Sequence, residues 1–349
     1  MKHLLSLPRW AWANLRNEVF VLPSRSFVFV AVLVLLVLPV AYDDAYVLRV
    51  ITMTAIFAIF AASWDLLAGY TGQVNFGHAL FFGIGAYTSA MLSRHLGISP
   101  WLSIPVAVAV AVAAGALVGG ICLRLRGSYL SLVTLALPLI LTGLLFAFPD
   151  FSGGELGITG LKRVVTGAVG NYYVAVVLML VSCFTLWKIG DSNTGLIFHA
   201  IREDEVACRA SGINTQRYKV LAFLLSALFA GLAGGLFAHF LRVAGPSSLE
   251  VALSFQVVIW GIFGGAATIY GPVTAVFLLY PLTEILASFD LFKEVRLLIF
   301  AVIVLLVLLF MPGGLVPWVR DKAERVCPRC KNRSVFTRHQ CRLCGAELR

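Results

Sequence analysis

Two pairs of cysteines near the C-terminus form the pattern in this sequence that is most typical of metal chemistry. The tail reads CPRCKNRSVFTRHQCRLCG, in which Cys327 pairs with Cys330 and Cys341 with Cys344. Two C-x-x-C pairs place four thiolates tetrahedrally around Zn²⁺. The basic flanks indicate the reducing cytosol, where disulfides are rare. The tail is therefore predicted to bind zinc as a small zinc-ribbon-like module, and two disulfides are the alternative.

A second group of polar residues lies inside a stretch that is otherwise typical of a membrane span. Gln73, Asn75 and His78 fall close together between Trp64 and Leu92. Hydrogen-bonding groups at bilayer depth need a protein partner or a water-filled cavity, because lipid offers neither donors nor acceptors. These three side chains are therefore predicted to face protein or water.

Glycines interrupt the helix around these polar residues. Each glycine costs a helix roughly 1 kcal/mol relative to alanine, and membrane transporters build sites from helices broken in this way. We therefore predict that residues 69–78, named here the first break, line a translocation pathway. Close helix packing through small residues is the alternative, although it does not explain the polar side chains. The predicted pathway residues are Gln73, Asn75, His78, Gly69, Gly72 and Gly77.

The composition is that of an integral membrane protein. The chain has 60% hydrophobic and only 13% charged residues, whereas soluble domains carry about 25% charged residues. The basic excess lies at the two ends, with four basic and one acidic side chain in residues 1–26 and nine basic and three acidic in residues 320–349. By the positive-inside rule both termini are predicted to be cytoplasmic. A nucleic-acid-binding tail is the less favoured interpretation of the second basic segment.

Ten apolar runs predict the fold class, an all-α polytopic membrane protein with broken or re-entrant segments. Residues 1–26 are predicted to be an interfacial segment, 27–318 the transmembrane domain and 320–349 the zinc-ribbon-like tail. The third, eighth and ninth runs are short against the roughly 20 residues of a span and are predicted to be partly re-entrant. The ten runs are 27–42, 47–69, 75–94, 101–122, 129–148, 172–186, 220–241, 253–267, 272–289 and 295–310.

Two later segments bear on function. Residues 260–272, WGIFGGAATIYGP, form a second glycine-interrupted region, named here the second break. Broken segments in both halves of a chain indicate a transport pathway. Residues 188–219, named here the polar loop, form the longest polar interruption, and the stretch 197–223 predicts an amphipathic helix with Ile201, Val206, Ala207 and Ala210 on one face, a stop at Gly212 and then re-entry into the membrane. Such a loop is suited to docking a soluble partner, and an ordinary solvated loop is the alternative.

Five motifs in this order carry a resemblance to a known family. Together they resemble the permease subunits of branched-chain amino acid ABC importers of the LivM type, over about residues 27–318. Most members of that family end soon after the last span, so the cysteine tail departs from the pattern. The motifs are GYTGQVNFGHALFFGIGAY (69–87), RLRGSYLSLVTLA (124–136), GGELGITGL (153–161), AIREDEVACRASGINTQRYK (200–219) and GGAATIYGP (264–272).

The resemblance implies a pore-forming subunit that pairs with a second permease of the LivH type in the cytoplasmic membrane. Two cytoplasmic ATPase subunits and an extracytoplasmic solute-binding protein would complete the importer. Residues 200–219 of the polar loop match the family's coupling segment, which inserts into a groove of an ATPase. The coupling residues implied are Arg202, Glu203, Asp204, Glu205, Ala210 and Gly212.

Other functions remain as alternatives at this point. The sequence has no G-x-x-x-x-G-K-[ST] motif and no clustered catalytic set, so ATP is expected to act only through partner subunits and the chain is not expected to be an enzyme. Urea or short amides are the alternative substrates that related permeases imply. A secondary transporter or channel would need coupling carboxylates, for which only Asp65 and Glu284 are available. A scaffold protein that works through its zinc tail would not explain the two breaks.

Overall fold

The computed structural model describes residues 23–41, 44–122, 128–288, 295–326 and 333–335. The chain divides into two compact units, one of Asp44–Gly314 and one of Met1–Asp43 with Leu315–Arg349. Both breaks and the polar loop belong to the Asp44–Gly314 unit, which is named here the body. The described part of the other unit consists of two helices and a strand pair.

Helices make up most of the described chain, as the apolar runs predict. In chain order they are α1 (Pro23–Ala41), α2 (Ala45–Trp64), α3 (Ala79–His95), α4 (Pro100–Cys122), α5 (Ser128–Ala147), α6 (Pro149–Ser152), α7 (Ala168–Gly190), α8 (Asn193–Glu203), α9 (Glu205–Ala210), α10 (Thr215–Leu241), α11 (Val251–Gly264), α12 (Tyr270–Ser288), α13 (Arg296–Phe310) and α14 (Leu315–Ala323).

Two short antiparallel strand pairs accompany these helices. In the body, β1 (Ile158–Thr159) pairs with β2 (Val243–Ala244), so the GGELGITGL motif is tied to the end of α10. In the other unit, β3 (Glu324–Val326) pairs with β4 (Arg333–Val335).

All ten predicted apolar runs contain helices, but the described residues do not support ten membrane spans. Six helices are long and apolar enough to cross a membrane by themselves, namely α2 with its extension to Tyr70, α4, α5, α7, α10 and α12. The helices of the other four runs are shorter in the described part of the chain. α3 has 17 residues, α11 has 14 and α13 has 15, and the described apolar stretch of α1 covers residues 28–41.

Two helices form the centre of the body. In the apolar stretch of α2, 72% of the residues are buried inside the protein, and in that of α10 the share is 61%. In the four other candidate spans the share is only 22% to 33%. Glycines allow the close crossings that membrane helices use. A Cβ atom at Gly85 of α3, for example, would overlap the backbone of Gly231 in α10. The outer helices leave large apolar faces exposed, and such faces suit lipid or another membrane subunit.

Candidate functional site

A buried carboxylate at the end of α2 joins the two breaks. The helix continues as a π-helix over Asp65–Tyr70, a geometry that is frequent at functional sites. The Asp65 carboxylate accepts hydrogen bonds from three consecutive backbone N–H groups, those of Ala267 (2.7 Å), Thr268 (3.0 Å) and Ile269 (2.8 Å). These amides belong to the second break, so one side chain ties together segments that lie far apart in the sequence.

The second break needs such a partner because its backbone is strained. Ala267 and Ile269 have φ angles of +63° and +58°, in a region that costs a residue other than glycine about 1–3 kcal/mol. Charge-assisted hydrogen bonds from three amides to one carboxylate offset this cost. Gly69 leaves room for the contact, since a Cβ atom there would overlap the Asp65 carboxylate and crowd the Ala267 amide.

Asn75 stabilises the first break from inside the chain. Its side-chain Oδ1 accepts a hydrogen bond from the Gly77 N–H (2.8 Å), and its backbone carbonyl accepts one from the indole Nε1 of Trp64 (3.0 Å). The chain turns at Gly72, whose φ is +68°. The Asn75 side chain is buried, and its Oδ1 serves the local backbone in this structure.

His78 is also enclosed by the body. Its Nε2 lies 2.9 Å from the Ser63 hydroxyl, and its ring stacks on Phe60 with 4.9 Å between the centroids. The Nδ1 atom has no hydrogen-bond partner among the described residues. His78 therefore packs between α2 and α3.

The six predicted pathway residues thus occupy different positions around the first break. Asn75, His78, Gly69 and Gly77 are buried, whereas Gln73 is half-buried and Gly72 is exposed. Gln73 has Val74 as its neighbour, and 40% of the Val74 surface is accessible. The polar surface of the first break is therefore centred on Gln73 in this structure.

Two hydroxyl groups of α5 hold the first break in place, although the sequence alone does not identify them as site residues. The Ser131 hydroxyl donates to the Val74 carbonyl (2.9 Å), and the Thr134 hydroxyl accepts from the Phe76 N–H (3.3 Å). Both residues lie in the RLRGSYLSLVTLA motif. They are three residues apart in the sequence, which places them on one face of the helix. This spacing is the feature by which the sequence could have identified them. A Cβ atom at Gly77 would overlap the Thr134 carbonyl oxygen, so the packing there is close.

The polar loop contains two helices where the sequence predicted one. Asp204 ends α8 with a φ of −152°, and its carboxylate accepts hydrogen bonds from the N–H groups of Val206 (2.8 Å) and Ala207 (2.9 Å) to begin α9. Side-chain capping of this kind competes with helix continuation. As a result Ile201 is buried while 72% of the Val206 surface is exposed, so the predicted common face is wrong. α9 ends before Gly212, whose φ is +82°, as the predicted helix stop requires.

Glu205 fixes α9 to the beginning of α10. Its carboxylate accepts hydrogen bonds from the Lys219 ammonium (2.6 Å) and the Thr215 hydroxyl (3.2 Å) and forms an ion pair with Arg209. Partial burial by itself would raise the pKa of Glu205. The hydrogen bonds and charges of Lys219 and Arg209 outweigh that effect and hold the pKa of Glu205 below its usual value.

The polar loop also contacts the first break directly. The Arg202 guanidinium donates a hydrogen bond to the Gly69 carbonyl (2.6 Å). The His199 ring lies against the Tyr70 ring with 4.6 Å between the centroids. Burial and then the charge of Arg202 lower the pKa of His199. A continuous set of contacts therefore runs from the polar loop through the π-helix to both breaks.

The outer face of the polar loop is available to a partner. The predicted coupling residues divide into two groups. Arg202 and Glu205 contact the rest of the body. The remaining four are exposed or shape the backbone, namely Glu203, Asp204, Ala210 and Gly212. The exposed residues on this face are Glu203, Val206, Ala207, Arg209, Ala210 and Gly212.

The predicted zinc ligands Cys327, Cys330, Cys341 and Cys344 lie outside the described residues. The described strands β3 and β4 flank the first cysteine pair in the sequence. Within the described ranges, no group of three or more His, Cys, Asp or Glu side chains is placed to hold a metal ion.

Residues 46–308 match the family described as the permease component of the branched-chain amino acid transport system. The chain is 32% identical over 322 residues to the high-affinity branched-chain amino acid transport system permease protein LivM of Escherichia coli (strain K12), which covers 83% of this chain and 75% of that protein. The probable branched-chain amino acid transport permease protein LivH of Methanocaldococcus jannaschii is 29% identical over 185 residues, 48% of this chain and 57% of that protein.

The similarity extends to a permease with a different named substrate. The ribose import permease protein RbsC of Haemophilus influenzae is 26% identical over 315 residues, 85% of this chain and 95% of that protein. No solved structure matches the chain.

Proposed function

This chain belongs to the family of branched-chain amino acid transport permease components, and we propose that it is the membrane-spanning subunit of an ABC importer for branched-chain amino acids. It is a transport subunit and not an enzyme. The observation that carries the proposal is the family match over residues 46–308, which includes both breaks and the polar loop. Separate subunits hydrolyse the ATP that drives transport.

We propose that the complete importer contains a second permease of the LivH type, two cytoplasmic ATPases and an extracytoplasmic solute-binding protein. The basic segments at both ends of the sequence support a cytoplasmic position for both termini. The polar loop then lies on the same side of the membrane as the ATPases.

We propose that the first break borders the translocation pathway. Gln73 supplies an amide at its surface, and Asn75 and His78 hold the backbone behind that surface. The glycines at 69, 72 and 77 permit the turn and the close contacts on which this arrangement depends. A neutral amide lining suits a zwitterionic amino acid because it offers hydrogen bonds without a fixed charge to trap the substrate.

We propose that the exposed face of the polar loop between Glu203 and Gly212, which includes α9, docks an ATPase. This face carries Glu203, Arg209 and the apolar Val206. Its supporting contacts through Glu205 and Arg202 keep both short helices in place. A short, firmly held helix pair on the cytoplasmic side is suited to insertion into a groove on another subunit.

We propose that the tail binds one Zn²⁺ through Cys327, Cys330, Cys341 and Cys344. The support is the chemistry of the donor set, since four thiolates are a complete ligand set for structural zinc. The pairing of β3 with β4 on either side of the first cysteine pair also agrees with a ribbon-like module. When bound, the metal would supply folding free energy to the tail. The tail is proposed to be an accessory element, because the family match ends before it.

A substrate panel tests the proposed function. The chain is produced together with a LivH-type permease, the two ATPases and the binding protein of the proposed importer, purified as a complex and reconstituted in liposomes. Uptake of labelled leucine should be inhibited by excess isoleucine and valine, and not by urea or ribose. Inhibition by ribose or urea alone, with isoleucine and valine ineffective, would overturn the proposed substrate class.

A further inference from the structure

We propose that Asp65 and Arg202 are positioning residues that carry movement of the polar loop to both breaks of the permease. This inference rests on the proposed function, because it requires a partner that moves the polar loop. Neither residue needs to touch substrate or ATP. Arg202 links the loop to the first break, and Asp65 links the first break to the second.

The Asp65 contact makes the two breaks move together. The carboxylate is fully buried and binds three successive amides of the second break. Separating them would leave a buried carboxylate and three N–H groups, of which that of Ile269 is buried, without their partners, and each buried loss costs about 1–3 kcal/mol or more. A displacement of the π-helix therefore carries residues 267–269 with it, since moving with the carboxylate costs less than separating from it.

The Arg202 contact connects the polar loop to the same π-helix. The last carbonyl groups of a helix lack partners within the helix, and the negative end of the helix dipole favours a cation there. The Arg202 guanidinium meets both conditions at the Gly69 carbonyl. Its stem also packs along the turn at Gly72, where an added Cβ would lie 3.2 Å from the Arg202 Cγ. Arg202 therefore fixes the position of the loop relative to the end of α2.

The polar loop is held firmly enough to transmit a displacement. Glu205 joins α9 to α10 through Lys219 and Thr215, and His199 lies against Tyr70. A partner that shifts α8 and α9 therefore moves them as one piece. The shift reaches α10 through Glu205 and the breaks through Arg202.

The test measures substrate taken up per ATP hydrolysed by the complete importer in liposomes. Arg202→Met removes the hydrogen bond to the Gly69 carbonyl but keeps the length of the stem. We expect it to lower uptake per ATP by about tenfold or more, within the range that coupling free energies produce, while the ATPase still copurifies and still hydrolyses ATP. Arg202→Lys keeps the charge and a donor and should retain most of the coupling.

Two further variants complete the design. Arg94→Met is the matched control, because Arg94 is exposed at the end of α3, outside the polar loop, and its side chain makes no hydrogen bond or ion pair among the described residues; it should match the unmodified importer. Asp65→Asn keeps the shape of the side chain but replaces an acceptor with a donor that faces N–H groups. It should lower uptake per ATP as Arg202→Met does. The double variant should show no lower uptake per ATP than either single variant, because both residues act through the same set of contacts.

The outcomes separate this inference from the function on which it rests. Failure of the unmodified complex to import leucine with ATP would count against the proposed function. With that import intact, unchanged uptake per ATP in Arg202→Met would overturn the inference. A proportional fall in uptake and hydrolysis would also overturn it, because that result indicates only loss of folded complex. If Asp65→Asn does not assemble, the Arg202 variants decide alone, since Arg202 lies at the loop surface.

Discussion

At the scale of single residues, Gly69 shows why one position in the first break must be glycine. The Asp65 carboxylate and the Ala267 amide occupy the space that a Cβ atom would take. Gly69→Ala should push the carboxylate off its amides and lower the free energy of unfolding by about 1–3 kcal/mol. Thermal unfolding of the purified protein measures this as a lower Tm.

Gly120→Ala is the matched control for this prediction. It makes the same change in another membrane helix, α4, at a position where an added Cβ would meet no atom within 4 Å. The Tm of Gly120→Ala should equal that of the unmodified chain or exceed it slightly, because alanine favours helix more than glycine does. Equal Tm values for the two variants would contradict the packing described around Asp65.

Glu205 gives a pH-dependent prediction. Its pKa is lowered in the folded protein, so its contribution to stability is complete above the ordinary glutamate pKa of about 4.3 and is lost as the pH falls through the lower folded value. Glu205→Gln should lower stability by about 1–2 kcal/mol at pH 7. The Tm difference between the two proteins should shrink as the pH is lowered below 4. A difference that is constant with pH would show that the charge of Glu205 contributes nothing.

The sequence identified some of these residues but not their partners. Gln73, Asn75 and His78 were recognisable because polar side chains are unexpected at membrane depth. Asp65 was recognisable only as an isolated carboxylate, since its partners are backbone N–H groups of a distant segment. Ser131 and Thr134 were not recognised, because single hydroxyl groups are common in apolar helices.

At the scale of structural elements, the stop of α9 determines how the polar loop is presented. Gly212 has a φ of +82° and open space around it, so a substitution there acts through backbone conformation and not through a clash. Gly212→Val should cost about 1–3 kcal/mol locally and displace the docking face. Less ATPase should copurify with the variant, and uptake per ATP should fall.

The connection after α3 offers a matched control for the Gly212 change. Gly97 has a φ of +66° and equally open space, but it lies outside the polar loop. Gly97→Val should therefore introduce similar strain without changing ATPase association. If both variants retain the ATPase equally and transport at the unmodified rate, the polar loop is only a connector.

Element positions were predictable wherever apolar runs were long. The run at 101–122 corresponds to α4 and the run at 129–148 to α5, with ends that differ by one residue. The division of the polar loop was not predictable, because an Asp204 that caps a helix looks the same in sequence as a charge on a solvated face. The span count was overestimated because glycine and polar breaks shorten α3 and α11 below the length of a membrane crossing.

At the scale of the whole molecule, the tail is expected to be a separable zinc module. Metal analysis of the purified full-length chain should give about one zinc per chain, since four thiolates complete a structural site. Changing Cys327 and Cys330 to Ser should abolish this zinc, whereas Cys183→Ser, which alters a free cysteine of α7, should leave it. Full-length chain that is purified without chelator and contains no zinc would contradict the assignment.

We propose that this chain provides a pathway for a branched-chain amino acid and that transport is driven by ATP hydrolysed on other subunits. The most direct measurement is leucine uptake into liposomes that hold the complete importer, with ATP supplied on the ATPase side. Uptake should require ATP, should stop when the partner ATPase cannot hydrolyse it, and should persist when ion gradients are dissipated. Uptake that continues without hydrolysis and follows an imposed proton or sodium gradient would contradict ATP-driven import through this chain.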